Sequence, residues 1–261
     1  MNVDRHLAGA IGLVVVAVAL TIGVGVAFAY DVSSAPRRTA PPAPPAGPAA
    51  PAVTGAAPAQ PQQEQPAPQE QQQPDPYRPD DAWLGRVAGA TGIPVRALAA
   101  YARAHLRVAD EQPGCKVAWN SIAALGGVES RHGSVNDAVL GEDGLSQPPI
   151  RGPRLDGKQF AAIRDTDGGM LDGDSEWDRA VGPLQFIPST WARWAADGNG
   201  DGTADPDQID DAALAAGRYL CAAGDLSTPD AWRRAIFSFN HSDAYVADIA
   251  ALANRYAAQA G

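Results

Sequence analysis

Residues 31–79 cannot form a packed core, which confines any fold to the residues beyond 79. Pro, Ala and Gln dominate, as in Pro41-Pro42-Ala43-Pro44-Pro45 and Gln71-Gln72-Gln73. No apolar repeat of strand or helix period runs through the stretch, so it offers no face to bury. Such a composition reads as an extended, polyproline-like spacer. Ahead of it, Leu7 to Tyr30 holds no charged residue and comes after Arg5 and His6. That run is long enough to span a bilayer as a helix. Ala27-Phe28-Ala29 also suits a signal-peptide cleavage site. Residues 1–30 are therefore a signal anchor or a cleaved signal peptide, and the length of the apolar run leans toward the anchor. Both readings place the rest of the chain outside the cytoplasm.

The folded part is then residues 80–261, a single domain by length and large enough to bury a core. A net charge of −10 argues against nucleic acid or anionic lipid as the main partner. The two cysteines, Cys115 and Cys221, both fall in this exported part. An even count in an oxidising compartment favours a disulfide over two buried thiols. Neither cysteine lies in a recognisable nucleophile motif.

The domain reads as mainly α-helical. Pro94 suits a first turn, and residues 95–108 have helical apolar spacing. Further helices are expected at 116–131, 189–196, 210–223 and 242–258. Thr228-Pro229-Asp230 supplies an N-cap, a proline at the first position and an acid in the first turn of another. No alternating run argues for a strand. Residues 134–179 are rich in Gly, Asp and Pro and read as a long loop, functional or mobile. Its acidic run at 165–174 lacks the calcium-loop spacing and reads as solvated, with a further metal site as the alternative.

Three stretches carry candidate chemistry. The first is Glu129, in Gly-Gly-Val-Glu-Ser-Arg-His-Gly (126–133), at the end of an otherwise apolar run. Ala118, Ile122, Leu125 and Glu129 share one helix face by spacing. A carboxyl on a buried stripe is held protonated, which makes a general acid at neutral pH. The alternative is a helix-end Glu turned to solvent, with Gly133 closing the helix. The second stretch is Asp197-Gly-Asn199-Gly-Asp201-Gly202-Thr203-Ala-Asp205. Oxygen ligands at positions 1, 3 and 5, glycine at 6 and a carbonyl at 7 make the first half of an EF-hand calcium loop. Gln208 stands where that loop has its bidentate Glu, leaving Asp210 or Asp211 to close the shell. A solvated Asp/Gly turn is the alternative. The third stretch is Arg179 to Trp191, too apolar for a free loop and too proline-rich for a helix. Within it Gln185 is either a donor to a ligand or a buried structural amide.

In order, Gly-Val-Glu-Ser-Arg-His-Gly, Ala-Val-Gly-Pro-Leu-Gln-Phe-Ile-Pro-Ser-Thr-Trp, the Asp/Gly loop and Phe239-Asn240-His241-Ser242-Asp243-Ala244-Tyr245-Val246 resemble lytic murein transglycosylases of the membrane-bound B type. The resemblance covers about residues 115–258, and the spacer and cysteine pair are more like actinobacterial forms. It implies a lysozyme-like, mainly α domain acting on peptidoglycan glycan strands in the cell envelope. It implies Glu129 as the single catalytic acid/base, with Gln185, Asn240 and Tyr245 binding substrate. It also implies a structural Ca2+ held by Asp197, Asn199, Asp201, the Thr203 carbonyl and Asp211, at position 15 of a lengthened loop. The expected reaction cuts the bond between N-acetylmuramic acid and N-acetylglucosamine without water, leaving a 1,6-anhydromuramic end. A hydrolytic muramidase, a non-catalytic wall-binding module and a calcium-binding interaction protein are the competing readings.

Overall fold

A computed structural model describes residues 75–261 of the chain. The expected N-terminal membrane segment and most of the expected spacer lie outside the described residues. Among the described residues no helix is long and apolar enough to cross a membrane.

Seven helices and four short strands succeed one another among these residues: α1 (Asp81–Thr91), α2 (Val95–Glu111), α3 (Trp119–Ser130), β1 (Val139–Leu140), β2 (Ser146–Gln147), β3 (Arg151–Arg154), β4 (Arg179–Val181), α4 (Pro188–Trp194), α5 (Ile209–Cys221), α6 (Pro229–Phe239) and α7 (Asp243–Ala260). The helix starts obey local chemistry. Asp80, Thr228 and Ser242 each accept a hydrogen bond from a first-turn amide, of Trp83, Ala231 and Tyr245 respectively. Pro229 occupies the first turn of α6, where no amide partner is needed. The sequence carries no expectation for α1, whose boundaries are set by Asp80 and by left-handed Gly92. Asp75 and Tyr77 already dock on the domain: Asp75 pairs with Arg103 at 3.0 Å, and the Tyr77 hydroxyl donates to Asp110 at 2.8 Å.

The core lies between α2, α3, α5 and α7. Along α5, Ala212, Ala213, Ala215 and Ala216 are all fully buried. Small side chains there bring helix backbones close together. A methyl group on Gly217 would stand only 3.1 Å from Val108 and 3.4 Å from Ile122. One covalent tie joins the α2–α3 connection to the end of α5. It is the Cys115–Cys221 disulfide, with Cα atoms 5.3 Å apart, and the expectation drawn from the cysteine count holds.

Residues 134–179 depart from the expected loop. Two antiparallel ladders form there, β1 with β2 (Leu140 opposite Ser146) and β3 with β4 (Arg151 opposite Val181). Pairs of two to four residues leave no alternation to read in sequence. Several acids of this segment, expected to be solvated, are instead held by the protein. Asp172 and Asp178 are buried. Asp174 pairs with Arg154 and Arg179, which holds its carboxyl well below the usual range. Asp165 and Asp167 turn back onto the amides of 167–171. Those carboxylates replace a core by fastening the backbone directly.

Candidate active site

Glu129 sits in the last turn of α3 and is 3% exposed. Ile122 and Leu125 on the same stripe are fully buried. The helix ends on the left-handed residues Arg131 and His132, whose amides return to Gly127 and Gly126. Gly133 comes after the end rather than forming it. Glu129 therefore stays inside, and the solvent-facing alternative falls. Burial pushes its carboxyl up to about 7, against a smaller lowering by the Tyr245 hydroxyl, which donates to Oε1 at 2.5 Å.

Tyr245 reaches Glu129 because Ser242 caps α7 and starts that helix three residues earlier. Asn240 closes α6 beside it and is 2% exposed, and its Oδ1 finds no hydrogen-bond partner. A buried acceptor left open is costly unless a ligand satisfies it. The third stretch is tied to the acid by the next residue along α3. The Ser130 hydroxyl donates to the Pro183 carbonyl at 2.6 Å and accepts from the Gly133 amide at 2.7 Å. Gly182 must be glycine there, since its φ is +73° and a methyl group would lie 1.9 Å from the Pro206 carbonyl. Gln185 is buried with a positive φ, and its amide donates to Gly182 at 2.9 Å. Its side chain is thus partly committed to the turn. Phe186 stacks edge-on against Phe239, ring centres 5.7 Å apart, which brings that turn against the end of α6 beside Asn240. No hydrogen bond joins Gln185 or Asn240 to Glu129 among the described residues.

Sequence reading missed Tyr219 on α5. Its hydroxyl donates to the Ser238 carbonyl at 2.5 Å, its ring packs on Phe239, and its field reaches Tyr245. It also missed a buried imidazole. His132 lies between the Tyr101 and Tyr256 hydroxyls at 3.1 and 3.0 Å, and burial drives it down to about 4. Nothing in the local pattern marks either residue, because each acquires its role from partners far along the chain.

Glu129 and His132 have opposite linkage. A carboxyl raised from 4.5 to about 7 contributes stability below pH 4.5 that is lost as pH rises through 7. An imidazole lowered from 6.5 to about 4 contributes stability above pH 6.5 that is lost as pH falls through 4. Between pH 4.5 and 6.5 the unfolded chain holds its proton on His132 and the folded chain on Glu129, so the two effects offset. Glu129→Gln removes one side. Relative to the unmodified chain, that variant is expected to gain about 3 kcal/mol between pH 4.5 and 7. Urea unfolding at both pH values checks this.

The Asp/Gly stretch forms a closed loop between α4 and α5. Asp197 accepts from the Gly200 and Gly202 amides at 2.7 and 2.9 Å, and Asp201 from Thr203 at 2.8 Å. Asp211, fully buried, receives the amides of Gly198 and Asp205 at 2.7 and 2.9 Å. Gln208 faces elsewhere, capping α5 and donating to the Asp143 carbonyl. Asp210 turns to Arg96 and Arg103. Of the two acids that sequence left open, Asp211 is therefore the one aimed into the loop. Burial and the charge of Asp197 both push the Asp211 carboxyl up. Asp197, Asp201 and Asp211 form no ion pair among the described residues. The Asp211 carboxylate is held by backbone amides beside Asp197, and the Arg107 guanidinium donates to the Asp197 carbonyl at 2.8 Å.

The family model described as the transglycosylase SLT domain matches residues 57–234. No curated protein matches the chain. The matched span takes in the Glu129 turn, the Gly182–Gln185 turn and the acidic loop, and stops short of Asn240 and Tyr245. A domain of this family acts on peptidoglycan, which sets its work in the cell envelope. The chain belongs to the transglycosylase SLT-domain family, and so to the peptidoglycan lytic transglycosylases.

Proposed function

We propose that this chain is a lytic transglycosylase of the membrane-bound B type in which Glu129 is the only catalytic acid/base. The observation that carries the reading is a buried carboxyl, pushed up to about 7 by its burial, that accepts the Tyr245 hydroxyl. Glycosidases with two carboxylates use the second as nucleophile or base toward water. One carboxyl suffices if the nucleophile belongs to the substrate. Protonated Glu129 gives its proton to the oxygen between N-acetylmuramic acid and N-acetylglucosamine, and that C–O bond breaks. The resulting carboxylate takes the proton of the muramic C6 hydroxyl, whose oxygen closes on C1. Atoms balance without water, and the product is a 1,6-anhydromuramic end. A pKa near neutrality lets one group serve in both directions.

Tyr245 orients Glu129 through their hydrogen bond. Asn240 offers its open Oδ1 to a sugar N–H or O–H, and Gln185 braces the adjoining turn through the Gly182 carbonyl. Asp197, Asn199, Asp201, the Thr203 carbonyl and Asp211 would hold Ca2+, which supplies charge balance to the loop and takes no part in the chemistry. Raising calcium is expected to raise the melting temperature in step with its concentration, by about 2.7 kcal/mol of stability at 100 times Kd. Asp211→Asn should remove that dependence, and a calorimetric titration in a calcium-free buffer checks it. Tethering through the N-terminal apolar segment completes the proposal.

Product mass tests the reading. The full chain is incubated with purified peptidoglycan and calcium, and the soluble muropeptides are weighed. Anhydro ends support it. Ends heavier by one water make the protein a muramidase, and the absence of any product favours a binding module.

A further inference from the structure

Gly126 and Gly127 stand inside α3, just ahead of Val128 and Glu129. Each glycine in a helix interior costs about 1 kcal/mol relative to alanine, so an adjacent pair calls for a reason. The surroundings supply one. A methyl group on Gly126 would lie 2.1 Å from the Tyr101 hydroxyl. On Gly127 it would lie 2.9 Å from Leu252 Cδ2, 3.2 Å from the Tyr256 hydroxyl and 3.3 Å from His132 Cε1. Gly126 clears space for Tyr101, and Gly127 for Leu252 and the far end of one hydrogen-bonded row, Tyr101–His132–Tyr256, with all three side chains buried. Tyr101 comes from α2 and Tyr256 from α7. His132 closes the end of α3, its own amide bound to the Gly126 carbonyl at 2.8 Å.

The row therefore straps the last turn of α3 to two neighbouring helices. One of them, α7, also carries Tyr245, the partner of Glu129. We infer that His132 is a positioning residue: the Tyr101–His132–Tyr256 row holds the end of α3 so that the Glu129 carboxyl meets Tyr245 and stays out of water. This rests on the reading of Glu129 as the acid/base. A neutral imidazole has one donor and one acceptor, so one tyrosine accepts and the other donates. The groups around it are Tyr101 from α2, Tyr256 from α7 with Arg255 against its ring, and Glu129 one turn back. No carboxylate pairs with the ring, and burial alone lowers its basicity. The row is accordingly neutral where the enzyme works.

His132→Phe fills the same space without hydrogen bonds. In the full chain, kcat for release of anhydromuropeptides is expected to fall by ~10–100-fold with KM within about twofold, as for a slightly misplaced catalytic group. The alkaline limb of the pH–rate profile should move acidward by about one pH unit, because water reaching Glu129 weakens its burial. A wild-type kcat and an unmoved limb, with only a lower melting temperature, would overturn the inference and leave the row a packing feature. If His132→Phe does not fold by circular dichroism, Tyr256→Phe removes a single hydroxyl and is read by the same two quantities. Glu129→Gln runs beside them in the same assay. Activity in that variant would remove the acid/base reading itself, an outcome separate from a normal His132→Phe profile.

Discussion

Glu129→Gln is expected to reduce formation of anhydro ends by at least ~1,000-fold while leaving the fold intact. General acid–base catalysis contributes ~10²–10⁴-fold for one proton transfer, and the proposed mechanism uses one group for both transfers. Glutamine has the same shape, and its amide still meets the Tyr245 hydroxyl. Its neutrality suits the site, since burial already disfavours the carboxylate. The unmodified chain should lose activity as pH rises through about 7, where Glu129 gives up the proton it must deliver. The readout pairs muropeptide release with the melting temperature of the same sample. A folded variant with near wild-type turnover would refute Glu129 as the acid.

Removal of the Cys115–Cys221 bond should have the largest effect on stability. The cysteines are separated by 106 positions, so the bridge closes a loop holding α3 to α5 and all four strands. In the chain-entropy account such a bridge stabilises by about 4–5 kcal/mol. That is a large share of the ~5–15 kcal/mol that holds a typical domain together. The double Cys115→Ser, Cys221→Ser variant should unfold at a markedly lower urea midpoint than the oxidised chain. The Leu226 amide also binds the Cys115 carbonyl, so the α5–α6 turn leans on that connection. Equal midpoints would mean that packing alone holds the loop closed.

Much of the architecture was legible because the helices announce themselves locally. Capping residues, first-turn prolines and apolar stripes place α2 to α7 within a few residues of where they form. Glu129 could be picked out because its stripe is otherwise apolar. The acidic loop showed its spacing, although spacing alone left its closing residue between Asp210 and Asp211, and only the family resemblance pointed to Asp211. The strands were not legible, since two-residue ladders depend on partners rather than on pattern. Nor were the roles of Asp174 and Asp178. A carboxylate in a glycine-rich stretch looks solvated until the arginine or the turn amides that bind it are in place.

Sequence by itself determined the helical class of the described domain and singled out Glu129 as the candidate acid, because helix period and capping act over a few neighbours. Tertiary structure decided what those residues can do. It selected Asp211 over Asp210 for the loop, by giving Asp210 to two arginines and aiming Asp211 inward. It brought Tyr245 to Glu129 across 116 positions. It set His132 between two tyrosines and explained the paired glycines by the space that row and Leu252 occupy. Burial, charge pairing and close backbone approach belong to pairs of distant segments, and no local pattern encodes them.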